Sequence, residues 1–281
     1  MSQVSMSKLR SIGLCFALLL AISALPTPSA AGFITFGNGF GSKWDDPNHG
    51  TPATVTWGFM PDGTTLDPSV PIAAEIDGGS NITLLRSTYD GSFGAGAFDE
   101  ALQRAFDTWQ AAAGITFVGA QADPGLPVGS VGATAPDIRI GAFLPVAGSD
   151  FDFVGAVGFG PPGDDLNFPD PLAGDILFNL AAMFIQPDGA EGDPITEFGN
   201  DLENLFLHEL GHAAIGLGHP ADGPGDVMFV GAGCCDVINR QLSADDIAGA
   251  QSVLGPPIPE PSTALLLLTT SSAALLGRVK S

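Results

Sequence analysis

The chain has 281 residues and carries 9 Lys and Arg against 31 Asp and Glu, a formal net charge of −22. Apolar residues make up 45% of the sequence, which excludes a disordered acidic tail and is enough for a core of domain size. Contacts to phosphate need Lys and Arg, so this charge balance argues against nucleic acid as a partner.

Residues 1–31 have the order of a secretory signal peptide. Two basic residues precede an apolar run from Ile12 to Leu25, and small residues then lead to Ala31. An N-terminal membrane anchor is the alternative, but the run is short for a bilayer and Pro26 interrupts its end. We therefore expect an exported chain that loses this segment.

The first half of the remaining chain predicts several strands and one amphipathic helix. The predicted strands are 54–60, 115–118, 137–140 and 175–178. Residues 98–110 place apolar side chains at helical spacing and predict a helix that packs on the sheet. Gly, Pro and Asp are frequent over 141–195, which we interpret as long loops around the last of these strands.

Two further helices are predicted in the second half. One starts near Phe198 or Asp201 and runs to about Ala214. The other starts at Ser243, where Asp246 three residues later completes a capping-box pattern. The sequence thus predicts an α+β fold, with a small mixed sheet packed on helices, in a single domain over 32–257.

His208, Glu209 and His212 form an H-E-x-x-H motif on the first of these two helices. Residues four apart lie on one helix face, so both imidazoles can reach one Zn²⁺ at about 2.0–2.1 Å. Glu209 then lies beside the metal, where a carboxylate can accept a proton from an activated water. Only four His occur in the chain, and three of them lie between His208 and His219, which is typical of a ligand set.

The third ligand determines the kind of zinc site. No Glu occurs between Glu209 and the C-terminal tail, which excludes a site completed by a downstream Glu. His219 is the natural third ligand, because Gly216 allows the chain to end its helix and turn. Asp222 and Asp226 remain alternative oxygen ligands.

The segment HELGHAAIGLGHP, which starts at His208, is followed by Asp226-Val227-Met228-Phe229. Together they resemble the zinc site and Met-turn of the metzincins, most closely the matrixin branch. The resemblance implies a metzincin fold with the zinc helix at the cleft, in a secreted zinc endopeptidase that acts on proteins or peptides. The roles that it assigns are zinc ligand for His208, His212 and His219, general base for Glu209, and support beneath the ligands for Met228. It implies one catalytic zinc, and we expect a monomer.

One residue in this segment departs from the family's spacing. The family pattern is H-E-x-x-H-x-x-G-x-x-H, whereas here Gly216 follows His212 by four residues and His219 follows by seven. The interval from Gly216 to His219 is kept, so the additional residue lies within 213–215. One helical residue turns the chain by about 100°, and we expect a bulge or a looser helix end to absorb it.

The end of the chain, 258–281, resembles a bacterial PEP-CTERM sorting tail. Pro259-Glu260-Pro261 is followed by an apolar stretch and then by Arg278 and Lys280. The resemblance implies a bacterial origin, transient anchoring in the membrane, processing by a sorting enzyme, and a final place at the cell surface or in the extracellular matrix. A weak C-terminal anchor is the alternative.

Acidic side chains crowd the loops before the zinc helix, where they could bind calcium or only form solvated turns. They are Asp150, Asp152, Asp164, Asp165, Asp170 and Asp175. Asp175 is the calcium ligand that the matrixin resemblance favours.

Three functions therefore compete. The first is the zinc endopeptidase, and the second is a non-catalytic matrix or surface-binding protein that keeps the metzincin fold, suggested by the additional residue. A purely structural zinc site is the third, but such sites are usually closed by four protein ligands. Beyond the three His, the neighbouring Cys234 and Cys235 are the remaining candidates for a fourth.

Overall fold

The structure is a computed structural model. It describes residues 33–35, 42–130, 132, 134–163, 169–220, 223, 225–229 and 237–259. Several sequence predictions concern residues outside this set: the signal peptide, the sorting tail from residue 260 onward, Asp164, Asp165, Asp222, Cys234 and Cys235.

The described residues form short strands and four α-helices. In chain order the strands are β1 (Ile34–Thr35), β2 (Ala53–Phe59), β3 (Ile76–Asp77), β4 (Ile115–Val118), β5 (Ile138–Pro145), β6 (Ala156–Gly158), β7 (Asp175–Asn179), β8 (Phe184–Ile185), β9 (Asn200–Asp201) and β10 (Leu217–Gly218). The helices are α1 (Ile82–Phe93), α2 (Ala97–Ala112), α3 (Leu202–Leu210) and α4 (Ala244–Leu254). A π-helix, Gly211–Ile215, continues directly from α3.

The main sheet is mixed, with the strand order β4-β2-β5-β7-β6. Its first four strands are parallel to one another, whereas β6 runs antiparallel to β7 at one edge and β3 adds antiparallel to the end of β5. The prediction of a small mixed sheet packed on helices is confirmed. The order places β6 at the sheet edge, next to α3.

Helix α2 joins the sheet to α3 through its apolar stripe. Phe106 stacks on Trp57 of β2, with ring centroids 4.8 Å apart, and meets Phe206 of α3 edge-on at 5.2 Å. Trp109 is fully buried and donates from Nε1 to the carbonyl of Leu207 at 2.9 Å. Burying an aromatic side chain of this size stabilises the fold by roughly 3 kcal/mol. The same stripe therefore fixes the position of α3 against the sheet.

Several elements differ from the sequence prediction, and four of them matter most for the site and the sheet. Strand β5 continues to Pro145, and β6 and β8 lie within the stretch interpreted as loops. Helix α1 was not predicted, because it contains β-branched and Ser residues and buries only a narrow stripe. Its start is fixed by Asn81, whose side chain accepts from the Leu84 N–H at 3.1 Å.

Within the described residues, the helices are all too short or too polar to cross a membrane.

Candidate metal centre

Helix α3 carries the H-E-x-x-H motif and is fixed firmly at its start. Asp201 is its N-cap, accepting from the Glu203 N–H, and Arg240 donates to the same Asp201 carboxylate at 2.7 Å. Arg104 of α2 pairs with Glu203 at 2.7 Å. The helix is therefore held at one end by ion pairs and along its side by the core, which places His208 and Glu209 at a defined depth in the cleft.

The additional residue after His212 is absorbed by the π-helix. A π-helix has i→i+5 hydrogen bonds and holds one residue more per turn than the α-helix it interrupts, so the chain reaches Gly216 without a loop. Gly216 ends it at φ 85°, in the left-handed region that favours glycine. Trp44 donates from Nε1 to the Ala213 carbonyl at 2.9 Å and so binds this irregular turn from outside. The expected bulge is confirmed.

The three imidazoles of His208, His212 and His219 converge on one point. Their Nε2 atoms lie 3.0 Å apart for His208 and His219, 2.8 Å for His212 and His219, and 3.1 Å for His208 and His212. Nitrogen ligands of a tetrahedral zinc are about 3.3 Å apart. Within the described part of the chain, this is the one group of three or more His, Cys, Asp or Glu side chains close enough to hold a metal.

Hydrogen bonds set the tautomers that metal binding requires. Nδ1 of His208 lies 2.6 Å from the Val227 carbonyl oxygen, and Nδ1 of His212 lies 2.6 Å from that of Leu217. Because a carbonyl only accepts, each Nδ1 must carry the proton, which leaves the Nε2 lone pairs directed at the common point. This donor set fits a zinc ion.

Desolvation also lowers the pKa values of the three imidazoles, which favours their neutral forms. Desolvation lowers the pKa of His208 and, together with the neighbouring imidazoles, lowers that of His212 further. Burial, and then the charge of His208, lower the pKa of His219 to about 4. A metal competes with few protons for ligands of this kind.

A turn that contains Met228 supports the site from below. The Met228 side chain packs on Gly211, and a Cβ at that position would also lie 3.2 Å from Trp109. Asp246, at the start of α4, accepts from the N–H groups of Val227 at 2.8 Å and Met228 at 3.2 Å. Asp246 thus holds the turn whose Val227 carbonyl orients His208.

Glu209 lines the same cleft, whose volume is about 410 Å³. The opposite wall is β6. A Cβ on Gly158 would lie 2.7 Å from the Glu209 carbonyl oxygen and 3.0 Å from its Oε2, so only glycine leaves this carboxylate its space. The lining is largely apolar and includes Val157 of β6 together with Leu205 and Val227.

Asp226, an alternative ligand on sequence grounds, lines the cleft but does not belong to the metal-binding group. Asp175 lies elsewhere, buried beside Arg139. Arg139 donates to Asp123 at 2.6 Å and lies 3.7 Å from Asp175, whose Oδ2 has no hydrogen-bond partner among the residues that the structure describes. Desolvation raises the pKa of Asp175 to about 7. A calcium ligand at Asp175 stays a prediction.

The profile of the matrixin family matches residues 79–255, more than half of the chain, and includes the three His and the Met-turn. The chain belongs to the matrixin family.

Several matrixins are similar over parts of this chain. Human matrix metalloproteinase-16 is 33% identical over 171 residues, which cover 59% of this chain and 25% of the relative. Rat stromelysin-1 is 35% identical over 107 residues, covering 34% and 22%, and rabbit macrophage metalloelastase is 53% identical over 57 residues, covering 19% and 12%. The chain thus spans about a quarter of matrix metalloproteinase-16.

Tertiary contact supplies partners of the site that no sequence pattern indicated. Asp246 was predicted as a cap residue, and the capping box with Ser243 is confirmed. Its bonds to the Met-turn were not predicted, nor were those of Trp44 to the π-helix or the place of Gly158 beside Glu209. The small residues of 155–158, between an aromatic turn and Pro161, are the sequence signal that could have indicated a strand in close contact with a helix.

Proposed function

We propose that this matrixin chain is a zinc-dependent endopeptidase in which His208, His212 and His219 hold one zinc and Glu209 is the general base. The observation that carries the proposal is the convergence of three imidazoles, whose Nε2 atoms lie within 3.1 Å of one another, in a cleft that Glu209 also lines. Among the described residues the group offers three ligands and not four, and a set of three is typical of catalytic zinc sites, whereas structural sites are usually closed by four.

The residues divide the chemistry between them. His208, His212 and His219 would hold the zinc, which when bound would supply Lewis acidity to a peptide carbonyl and to a water molecule near neutral pH. The Glu209 carboxylate accepts the proton of the attacking water and delivers it to the leaving amine nitrogen. The carbonyls of Val227 and Leu217 keep the imidazoles of His208 and His212 in the binding tautomer throughout.

Strand β6 provides the surface on which a substrate chain can lie. It is the last strand in the order of the sheet and lines the cleft beside Glu209. An extended peptide that adds to such an edge gains main-chain hydrogen bonds whatever its side chains are. This mode of binding suits hydrolysis in the interior of a chain, and it supports an endopeptidase acting on extended protein segments.

Location and additional ions belong to the same proposal. The signal-peptide pattern of 1–31 and the PEP-CTERM-like pattern of 258–281 support export by a bacterium, transient anchoring, trimming by a sorting enzyme, and a domain confined to 32–257. The acidic loops support an accessory calcium at Asp175. The non-catalytic alternative was motivated by the additional residue after His212, and the π-helix accommodates that residue.

Hydrolysis of an unfolded protein and of a peptide pool by the zinc-loaded full chain tests the proposal. Glu209→Gln should lower kcat by at least about 100-fold while one zinc per chain is retained. Exposed Glu100 on α2 offers the matched control, and Glu100→Gln should cleave as the wild type does. His212→Ala should lose both zinc and activity. Hydrolysis by Glu209→Gln at the wild-type rate, or by wild type stripped of metal, would contradict the mechanism.

A further inference from the structure

Phe153 is an apolar side chain left in solvent at the cleft. Its exposed fraction is 78%, although it lines the same cleft as Glu209. Of the described residues that line this cleft, only the adjacent Val154 is another large apolar side chain with an exposed surface, at 39%. Phe153 and Val154 together form a contiguous exposed apolar surface at the cleft, which is the kind of surface that a bound ligand can cover.

The turn that carries Phe153 is held rigidly. It is a short 3₁₀ turn, Asp150–Phe153, whose Phe151 is 1% exposed and packs in the core. Asn179 of β7 donates from its amide nitrogen to the carbonyls of Phe151 and Val154, each at 2.9 Å. Glu75 accepts from the Phe151 N–H at 3.0 Å. The backbone on both sides of the ring is thus fixed, so the ring is presented to the cleft rather than left on a loose loop.

The chain runs from Phe153 directly into β6. Gly158, at the other end of this strand, adjoins Glu209 and so marks the place of the chemistry. Strand residues are about 3.3 Å apart, so the five steps from Gly158 to Phe153 span at most about 17 Å. A peptide laid along β6 would therefore meet the ring with a residue about three to five positions from the scissile bond.

The surroundings determine which side chain would fit there. Val154 and Val157 continue the apolar wall, and the whole chain carries a net charge of −22, which repels acidic peptides. We propose that Phe153 is a specificity-determining residue, which makes the cleft prefer a bulky aliphatic or aromatic side chain at one substrate position several residues from the scissile bond. This inference rests on the proposed function, because it assumes that the cleft binds an extended peptide.

The experiment uses peptides that differ at a single position, with Leu, Ser or Asp at each site in turn, and measures kcat/KM. Wild type should prefer Leu at one distal position, with Asp the poorest. Phe153→Ala should lower the Leu-to-Ser ratio there by about 10-fold, because one apolar contact commonly discriminates by that order. Phe153→Leu should retain the preference. Phe198→Ala is the control, since Phe198 is 87% exposed but does not line the cleft.

Binding of the same peptides to the zinc-loaded Glu209→Gln chain separates this inference from the proposed function. If wild type hydrolyses nothing but Glu209→Gln binds the Leu peptide about 10-fold better than its Phe153→Ala double variant does, the specificity holds and the enzymatic proposal fails. Equal Leu-to-Ser ratios in wild type and Phe153→Ala, an equal loss on all peptides, or no binding at all would each overturn the role of Phe153.

Discussion

The carboxylate of Asp246 connects the last helix to the turn that orients His208, one of the proposed zinc ligands, and its replacement by Asn tests that connection. The side chain is 2% exposed. Its Oδ2 accepts from the N–H groups of Val227 at 2.8 Å and Ser243 at 2.9 Å, and its Oδ1 accepts from that of Met228 at 3.2 Å. An Asn of the same shape places an NH₂ donor against one or two of these N–H groups, whichever way its amide is turned.

The expected loss follows from the number of bonds. A hydrogen bond to a charged group is worth about 1.5–3 kcal/mol, and Asp246→Asn removes one or two of them. We expect the free energy of unfolding to fall by about 2–5 kcal/mol. Because the Val227 carbonyl orients His208, loosening this turn should also weaken zinc binding by about 10–100-fold, as the loss of an outer hydrogen-bond partner of a ligand commonly does.

Urea unfolding of the zinc-loaded and metal-free protein measures the first effect, and competition with a chromophoric chelator measures the second. Asp245→Asn is the matched control, since it removes a charge from the same first helical turn while Asp246 keeps its bonds to the Met-turn. It should cost no more than about 1 kcal/mol. If the free energy of unfolding and the zinc affinity of Asp246→Asn equal those of wild type within error, Asp246 does not hold the turn. Equal losses of stability in Asp246→Asn and Asp245→Asn would assign the effect to helix charge alone.

Three further predictions concern the cleft and the buried acid. Deleting Ala214 should convert the π-helix into an α-helix and leave His219 on the metal, so titration should still give one zinc per chain; loss of zinc would contradict the account of the additional residue. Gly158→Ala should crowd Glu209 and lower kcat by about 10-fold at unchanged zinc affinity, and unchanged kinetics would contradict that contact. Desolvation raises the pKa of Asp175 to about 7, above its unfolded value of about 3.9, so its stabilising contribution is complete below pH 4 and is lost as the pH rises to 7. Asp175→Asn should remove that slope in pH-dependent urea unfolding, and millimolar calcium should raise the Tm of wild type but not of this variant; an unchanged slope, or an equal shift with calcium, would contradict the respective assignment.

Local patterns determine what could be predicted about this fold. The capping box at Ser243 and the amphipathic stripe of α2 depend on neighbours a few residues away, and both are confirmed. Strand β6 has three residues and is fixed by pairing with β7, about twenty residues further along the chain, so its run of small residues is only a weak local signal. Helix α1 buries only Ile82, Leu85 and Tyr89, which leaves a weak periodicity.

In the candidate metal centre, too, local spacing predicts some features, whereas others depend on tertiary contact. His208 and His212 are one helical turn apart, and geometry within a helix is enough to predict that they share an ion. A bulge that lets His219 join them could be expected from the spacing. The π-helix itself depends on Gly216, which ends it, and on Trp44, which donates to it from a distant part of the sequence. The carbonyl that orients His208 belongs to Val227, 19 residues further along, and that of Leu217 reaches His212 only after the chain has turned at Gly216, so the H-E-x-x-H spacing carries no information about either.

Zinc K-edge X-ray absorption, on the full chain loaded with one equivalent of zinc, measures whether His208, His212 and His219 bind the same ion. We predict three imidazole nitrogens and one exchangeable oxygen at about 2.0–2.1 Å from the zinc, with no sulfur. A second-shell pattern of only two imidazoles, or a fourth ligand from the protein such as a thiolate at about 2.3 Å, would contradict it.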